Sequence, residues 1–161
     1  MVVFKLPRDN ETDYIKRVIG LPGDEIQMVH GVLHINGKPV PKVRVNDYVV
    51  TEPAGRERRM PGFMETLPNG VSYPVLDLVQ DGFGDNTELY KVPEGHFFMM
   101  GDNRDNSTDS RFLSEVGFVP FENLVGKAQI IFFSLDENSR FLEFWDWPTS
   151  IRWPRLFQVV H

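Results

Sequence analysis

The stretch from Tyr14 to Gly37, YIKRVIGLPGDEIQMVHGVLHING, decides the fold. Tyr14 to Ile19 is rich in β-branched and aromatic residues, which suit a pleated, half-buried strand. Gly20-Leu21-Pro22-Gly23-Asp24 ends that strand: proline presets φ at the first central position of a type II turn, and glycine supplies the positive φ of the second. Glu25 to Val29 and Val32 to Ile35 then flank His30-Gly31, and Asn36-Gly37 follows as a two-residue hairpin signal. The pattern predicts three short strands in an antiparallel meander.

Working outward, Val2-Val3-Phe4 reads as a strand already under way at the start of the chain, which suggests a shortened N-terminus. The chain has 13 glycines and 12 prolines at short intervals, leaving little room for helices of ordinary length. Residues 39 to about 88 change character, with charged Gly55-Arg56-Glu57-Arg58-Arg59 and no helical period, and read as an inserted β subdomain. Apolar rhythm returns at Gly95 to Met100, breaks at 101–111, and resumes through Phe118-Val119 to Ala128–Phe133, so two core strands bracket one polar loop. Pro120 to Leu124 is expected to form a single helical turn with proline at its first position. The expectation is a mainly β fold of coiled, barrel-like antiparallel sheets, one domain over 1–161, with a core from 1–38 and 89–161.

The 161 residues carry 17 Lys+Arg against 23 Asp+Glu, a net charge of −6, which argues against nucleic acid as a partner because no basic excess is available to neutralise phosphates. With no cysteine, disulfides, thiolate metal sites and a cysteine nucleophile are out. No stretch approaches the roughly 18 to 20 apolar residues of a membrane span, so the chain itself is expected to be soluble. His30 and His34 have H-x-x-x-H spacing, but the hairpin reading separates them across a turn, and no metal or cofactor is expected. Aromatic residues between Phe141 and Val160, with Arg152 and Arg155 among them, suit either closure of the core or contact with a membrane interface.

Two segments carry chemistry. Gly101 to Arg111, GDNRDNSTDSR, packs three Asp, two Asn, two Ser and two Arg between apolar strands. By itself it reads as a solvated loop whose short polar side chains satisfy their own backbone. A calcium loop fits poorly: Asn103, Asp105, Ser107 and Asp109 alternate as in an EF-hand, but the required glycine is Thr108 and the terminal Glu is missing. The other segment, Asp13 to Asp24, puts Lys16 mid-strand on the face of Tyr14 and Val18, with Arg17 on the opposite face. A strand lysine alone reads as solvent-facing or as an edge gatekeeper.

Together, Tyr14 to Asp24 and Gly101 to Arg111 closely resemble boxes of the bacterial type I signal peptidases, membrane-anchored serine endopeptidases that remove signal peptides from exported preproteins. The self-cleaving repressors also use serine and lysine but lack the second box. The resemblance implies that Lys16 is a general base, Ser107 orients its amine, and Asp109 and Arg111 brace the loop as an ion pair. It further implies that Arg17 pairs with Asp102, and that a substrate strand docks along Asp13, Tyr14 and Ile15. The base must be neutral, whereas a lysine at about 10.4 is almost wholly protonated at neutral pH, so burial has to lower it. The family's nucleophilic serine lies in a segment upstream of the first strand, and nothing of that kind precedes Val2.

Inactivity of this chain by itself, some self-association through exposed sheet edge, and a parent protein whose catalytic part faces outward from the cytoplasmic membrane are therefore expected. The alternative is a nucleophile-free homologue that binds exported peptide segments by strand addition without cutting them.

Overall fold

The computed structural model describes residues 1–51 and 56–127. Val2–Gly126 forms one compact unit. Strand β1 (Val2–Lys5) runs antiparallel to β2 (Asp13–Gly20), with Val2 opposite Lys16 and Lys5 opposite Asp13. Pro22 and Gly23 then turn the chain, with Gly23 at φ +88° and Asp24 N–H donating to Leu21 C=O at 3.0 Å.

The meander follows as β3 (Glu25–Val29), β4 (Val32–Ile35) and β5 (Lys38–Pro39). Both of its turns have positive φ at their two central residues, 47° and 71° at His30-Gly31 and 53° and 72° at Asn36-Gly37, the handedness that matches strand twist.

Residues 39–88 hold β6 (Lys42–Arg44), β7 (Tyr48–Thr51), β8 (Glu57–Met60), β9 (Gly62–Thr66) and β10 (Ser72–Leu76). β11 (Tyr90–Lys91), β12 (His96–Met100), β13 (Val119–Pro120) and β14 (Leu124–Lys127) complete the described strands. Four sheets result, in the orders β13-β12-β2-β1-β14, β11-β3-β4-β5, β10-β9-β6 and β7-β8. No α-helix occurs among the described residues, and the mainly antiparallel β class expected from the sequence is the class observed.

The strands of the 39–88 region pair among themselves, yet Val40, Tyr73 and Val75 are buried in the same apolar cluster as Ile19, Ile26, Leu33 and Phe98. Their sheet therefore shares a core with the rest of the unit. A second cluster, built on Phe4, Leu6, Met99, Val116 and Val119, packs against Tyr14 and Val18 on the opposite face of β2.

Three expectations change or fall elsewhere. The single turn is a 3₁₀ turn over Phe121–Asn123, and Pro120 caps it from outside rather than opening it, because its ψ of 151° keeps it extended. Lys16 lies on the half of β2 that β12 does not pair with, yet it is not a solvent-facing gatekeeper, because its amine is half-buried and bonded to Ser107. The strand at 128–133 and the aromatic tail from Phe141 to Val160, with Arg152 and Arg155, lie outside the described residues.

Candidate active site

β2 delivers the lysine and the exit of β12 delivers the loop. β12 pairs with β2 only through Gly20, Val18 and Arg17, with a bulge between Phe98 and Met99, and the chain then leaves the sheet at Gly101. The Asp13–Lys16 half of β2 is thus paired with β1 on one side and freed from β12 on the other.

Lys16 Nζ donates to Ser107 Oγ at 2.9 Å, joining residues 91 positions apart. The Tyr14 ring centroid lies 5.4 Å from the same amine. Burial pushes the Lys16 amine below the ordinary lysine range and Arg111 adds to this, against the opposing pull of Asp109 and Asp102. The amine is thus half-buried and hydrogen-bonded, and burial moves it in the direction that a general base requires.

The loop is held in place by ion pairs. Asp109, fully buried, accepts from Arg111 Nε at 2.8 Å and Nη2 at 2.9 Å, and from Gly101 N–H at 2.9 Å. Arg17 forms the same kind of fork with Asp102, at 2.8 and 2.9 Å, and stacks over the Tyr73 ring at 4.0 Å. The structure brings together Lys16 with Ser107, Arg17 with Asp102, and Asp109 with Arg111.

Of the four residues whose alternation resembled a calcium loop, three face separate partners: Ser107 faces Lys16, Asp109 faces Arg111, and Asp105 accepts the Leu78 and Val79 N–H groups, while Asn103 Oδ1 is buried without a partner.

Asp13, Tyr14 and Ile15 sit on the half of β2 that β12 leaves free. Ile15 is exposed, Asp13 pairs with Lys5 at 2.9 Å, and Tyr14 turns inward, edge-on to Phe4 at 6.0 Å. A backbone edge at these residues is therefore compatible with strand addition, with the Ile15 side chain outermost.

Sequence reasoning assigned no role to Gly101 or Ser110. A Cβ at Gly101 would lie 2.0 Å from Ser107 Oγ and 3.5 Å from Lys16 Nζ, so only glycine leaves room for the serine hydroxyl. Ser110 Oγ accepts the Met99 N–H at 2.8 Å and Ser110 N–H returns to Met99 C=O at 2.9 Å, sewing the loop's far end to β12. Their signal lay in the box itself, where a glycine precedes the polar run and a second serine follows the first by three. Gly101→Ala is expected to separate Ser107 from Lys16 and to cost about 1–3 kcal/mol, the usual penalty for overpacking. A thermal melt and the Lys16 side-chain NMR signal would check it.

A second polar group lies away from this site, where Asp77, Asp85 and Asp105 bring carboxylate oxygens within 4.8 Å of one another and Lys42 pairs with Asp77.

The site thus consists of a half-buried lysine amine held by a loop serine within an antiparallel β scaffold. Residues 1–133 match the family described as signal peptidase, peptidase S26, and the chain belongs to that family. Signal peptidase I of Rickettsia canadensis (strain McKiel) is 39% identical over all of this chain and 64% of its own length. Signal peptidase I of Rickettsia bellii (strain OSU 85-389) is 40% identical over all of this chain and 59% of its own length. The chain thus spans about three-fifths of these relatives. The crystal structure of a signal peptidase I from Enterococcus faecalis V583 is 27% identical, covering 78% of this chain and 89% of that one, with a TM-score of 0.43. Among the described residues no helix is long and apolar enough to cross a membrane.

Proposed function

We propose that this chain is the lysine-bearing part of a serine endopeptidase that removes N-terminal signal peptides from exported preproteins. The observation that carries the reading is the 2.9 Å contact between the half-buried Lys16 amine and Ser107. Ser107 accepts one N–H and so turns the lone pair of a neutral amine toward the nucleophile. Lys16 takes the proton of a serine hydroxyl as its oxygen attacks the scissile carbonyl, then gives that proton to the leaving amine. Water, activated by the same amine, hydrolyses the acyl-enzyme.

Ser107 is not that nucleophile. It is 7% exposed beneath Gly101, where a peptide carbonyl has no approach. The attacking serine belongs to a segment preceding β1 in the family pattern. The preprotein lies extended along Asp13, Tyr14 and Ile15, adding a strand where β12 has departed. The site works on the outer face of the cytoplasmic membrane, where its substrates emerge.

The test is cleavage of a signal-peptide-bearing preprotein by this chain joined in frame to the anchor and serine segment of a Rickettsia relative. Cleavage at one bond is expected from the joined protein and none from the chain alone. Saturable binding without cleavage by the joined protein would establish the strand-adding peptide binder in its place. In the joined protein Ser107→Ala is expected to lower kcat about 10- to 100-fold without changing the melting curve, since it removes orientation and leaves the amine in place. Unchanged turnover would remove Ser107 from the site.

A further inference from the structure

The loop of Ser107 is gripped a second time, from the 39–88 region, by a charge pair more deeply buried than Lys16. Glu65 of β9 and Arg104 of the loop have side chains 0% and 1% exposed. Arg104 Nη1 donates to Glu65 Oε1 at 2.7 Å and Nη2 to Oε2 at 2.5 Å, a planar fork. Tyr73, directly opposite Glu65 in the β9–β10 register, donates its hydroxyl to Oε2 at 2.8 Å. Burial and the Glu65 charge hold that phenol far above its usual ionisation, so it remains a donor.

The backbone joins in: Leu76 N–H donates to Asp102 C=O at 2.8 Å, and Arg104 N–H to Leu76 C=O at 2.9 Å. Arg104 C=O in turn accepts Arg111 Nη2 at 2.6 Å. Tyr73 also carries the Arg17 guanidinium on its ring, and Arg17 holds Asp102.

A buried ion pair is a weak source of stability, because the cost of removing both charges from water offsets their attraction. Here Arg104 Nε, buried as well, has no partner, which adds to the cost. What the fork supplies is direction. It fixes Arg104 in distance and plane relative to β9, three residues before Ser107.

We propose that Glu65, seconded by Tyr73, is a positioning residue for the Lys16 and Ser107 pair: through Arg104 it sets the loop in the place where the Ser107 hydroxyl meets the lysine amine. The inference rests on the reading of Lys16 as a base and extends it to a residue outside both boxes.

The charged groups that act on the Lys16 amine are Asp109, Arg111 and Asp102, with the Tyr14 ring beside it. Glu65 and Arg104 do not touch that amine, and the amide exchange of the loop reports whether an effect on Lys16 is carried by the loop.

The test titrates Lys16 in the intact chain by ¹³C NMR and follows amide exchange at Gly101 and Ser110, in the unaltered protein and in Glu65→Gln, Arg104→Lys and Tyr73→Phe. Glu65→Gln strands a buried cation and is the variant most prone to unfold. Arg104→Lys keeps the charge paired while losing the fork, and Tyr73→Phe keeps the fork and loses one bond.

In folded Arg104→Lys the Lys16 midpoint is expected to move up toward ordinary lysine values, with exchange at both amides about tenfold faster or more. Tyr73→Phe should shift both in the same direction by less. Unchanged midpoint and exchange in whichever of these variants folds would overturn the positioning role. An ordinary midpoint in the unaltered protein would instead count against Lys16 as the base, and the amide exchange would still decide the positioning.

Discussion

Replacing Lys16 by Met in the joined protein is expected to lower kcat/KM for preprotein cleavage by about 10³-fold or more, since the step loses its base and its proton donor together. Met keeps the length and the apolar stem, so the loss reports the amine rather than a cavity. A variant with a tenth of normal activity would contradict a central role for Lys16.

The same substitution has a stability signature that needs no substrate. The Lys16 amine titrates lower in the folded chain than in the unfolded one, because burial disfavours its charged form. Between the two values the unfolded state binds more protons, so stability rises with pH there. The cost of burying Lys16 is thus full below its folded-state value and fades as pH approaches about 10.4. Lys16→Met should therefore melt higher than the unaltered chain at mildly acid and neutral pH, with the gap closing on the alkaline side. A gap that is constant with pH would mean that the amine is not perturbed.

Asp109→Asn should produce the largest loss of stability, about 3–5 kcal/mol, because it leaves the Arg111 guanidinium buried without its counter-charge. The neutral amide also presents an NH₂ to a donor where the carboxylate accepted two Arg111 bonds and the Gly101 N–H. For a domain of this size that is a fall in Tm of roughly 8–15 °C. Activity in the joined protein should fall with it, since Gly101 and Ser107 lose their anchor. A melting curve matching the unaltered chain would contradict the bracing role of this pair.

The parts of the fold that local chemistry determines were legible. The two Asx-Gly and His-Gly turns, the Pro-Gly turn and the strands around them follow from φ preferences and alternation, and the structure has them at the expected residues. What alternation could not convey is which face meets what. Lys16 reads as a surface lysine by period alone, yet its amine is half-buried between Ser107 of the loop and the Tyr14 ring.

The polar loop reads as solvated because its composition is that of a turn. In the structure Arg104, Ser107, Asp109, Ser110 and Arg111 are buried, and each finds at least one hydrogen-bond partner there. Asp109 and Arg111 pair locally, but the other ties of the loop reach far in sequence, Lys16 for Ser107 at 91 positions, Arg17 for Asp102 at 85 and Glu65 for Arg104 at 39. Such pairings leave no periodic trace. The boxes carried Lys16, Ser107 and their immediate braces, whereas Glu65 and Tyr73 belong to a region that reads only as an insertion, and their place in the site follows from register alone.

The claim beneath all of this is that the Lys16 amine is held neutral enough to work as a base. Its titration in the intact chain, followed at the ε-carbon by NMR from pH 6 to 12, tests that most directly. Lys16 is expected to have a midpoint below those of all the other lysines and to return to their range in Gly101→Ala. A Lys16 that titrates with the surface lysines near 10.4 would contradict it.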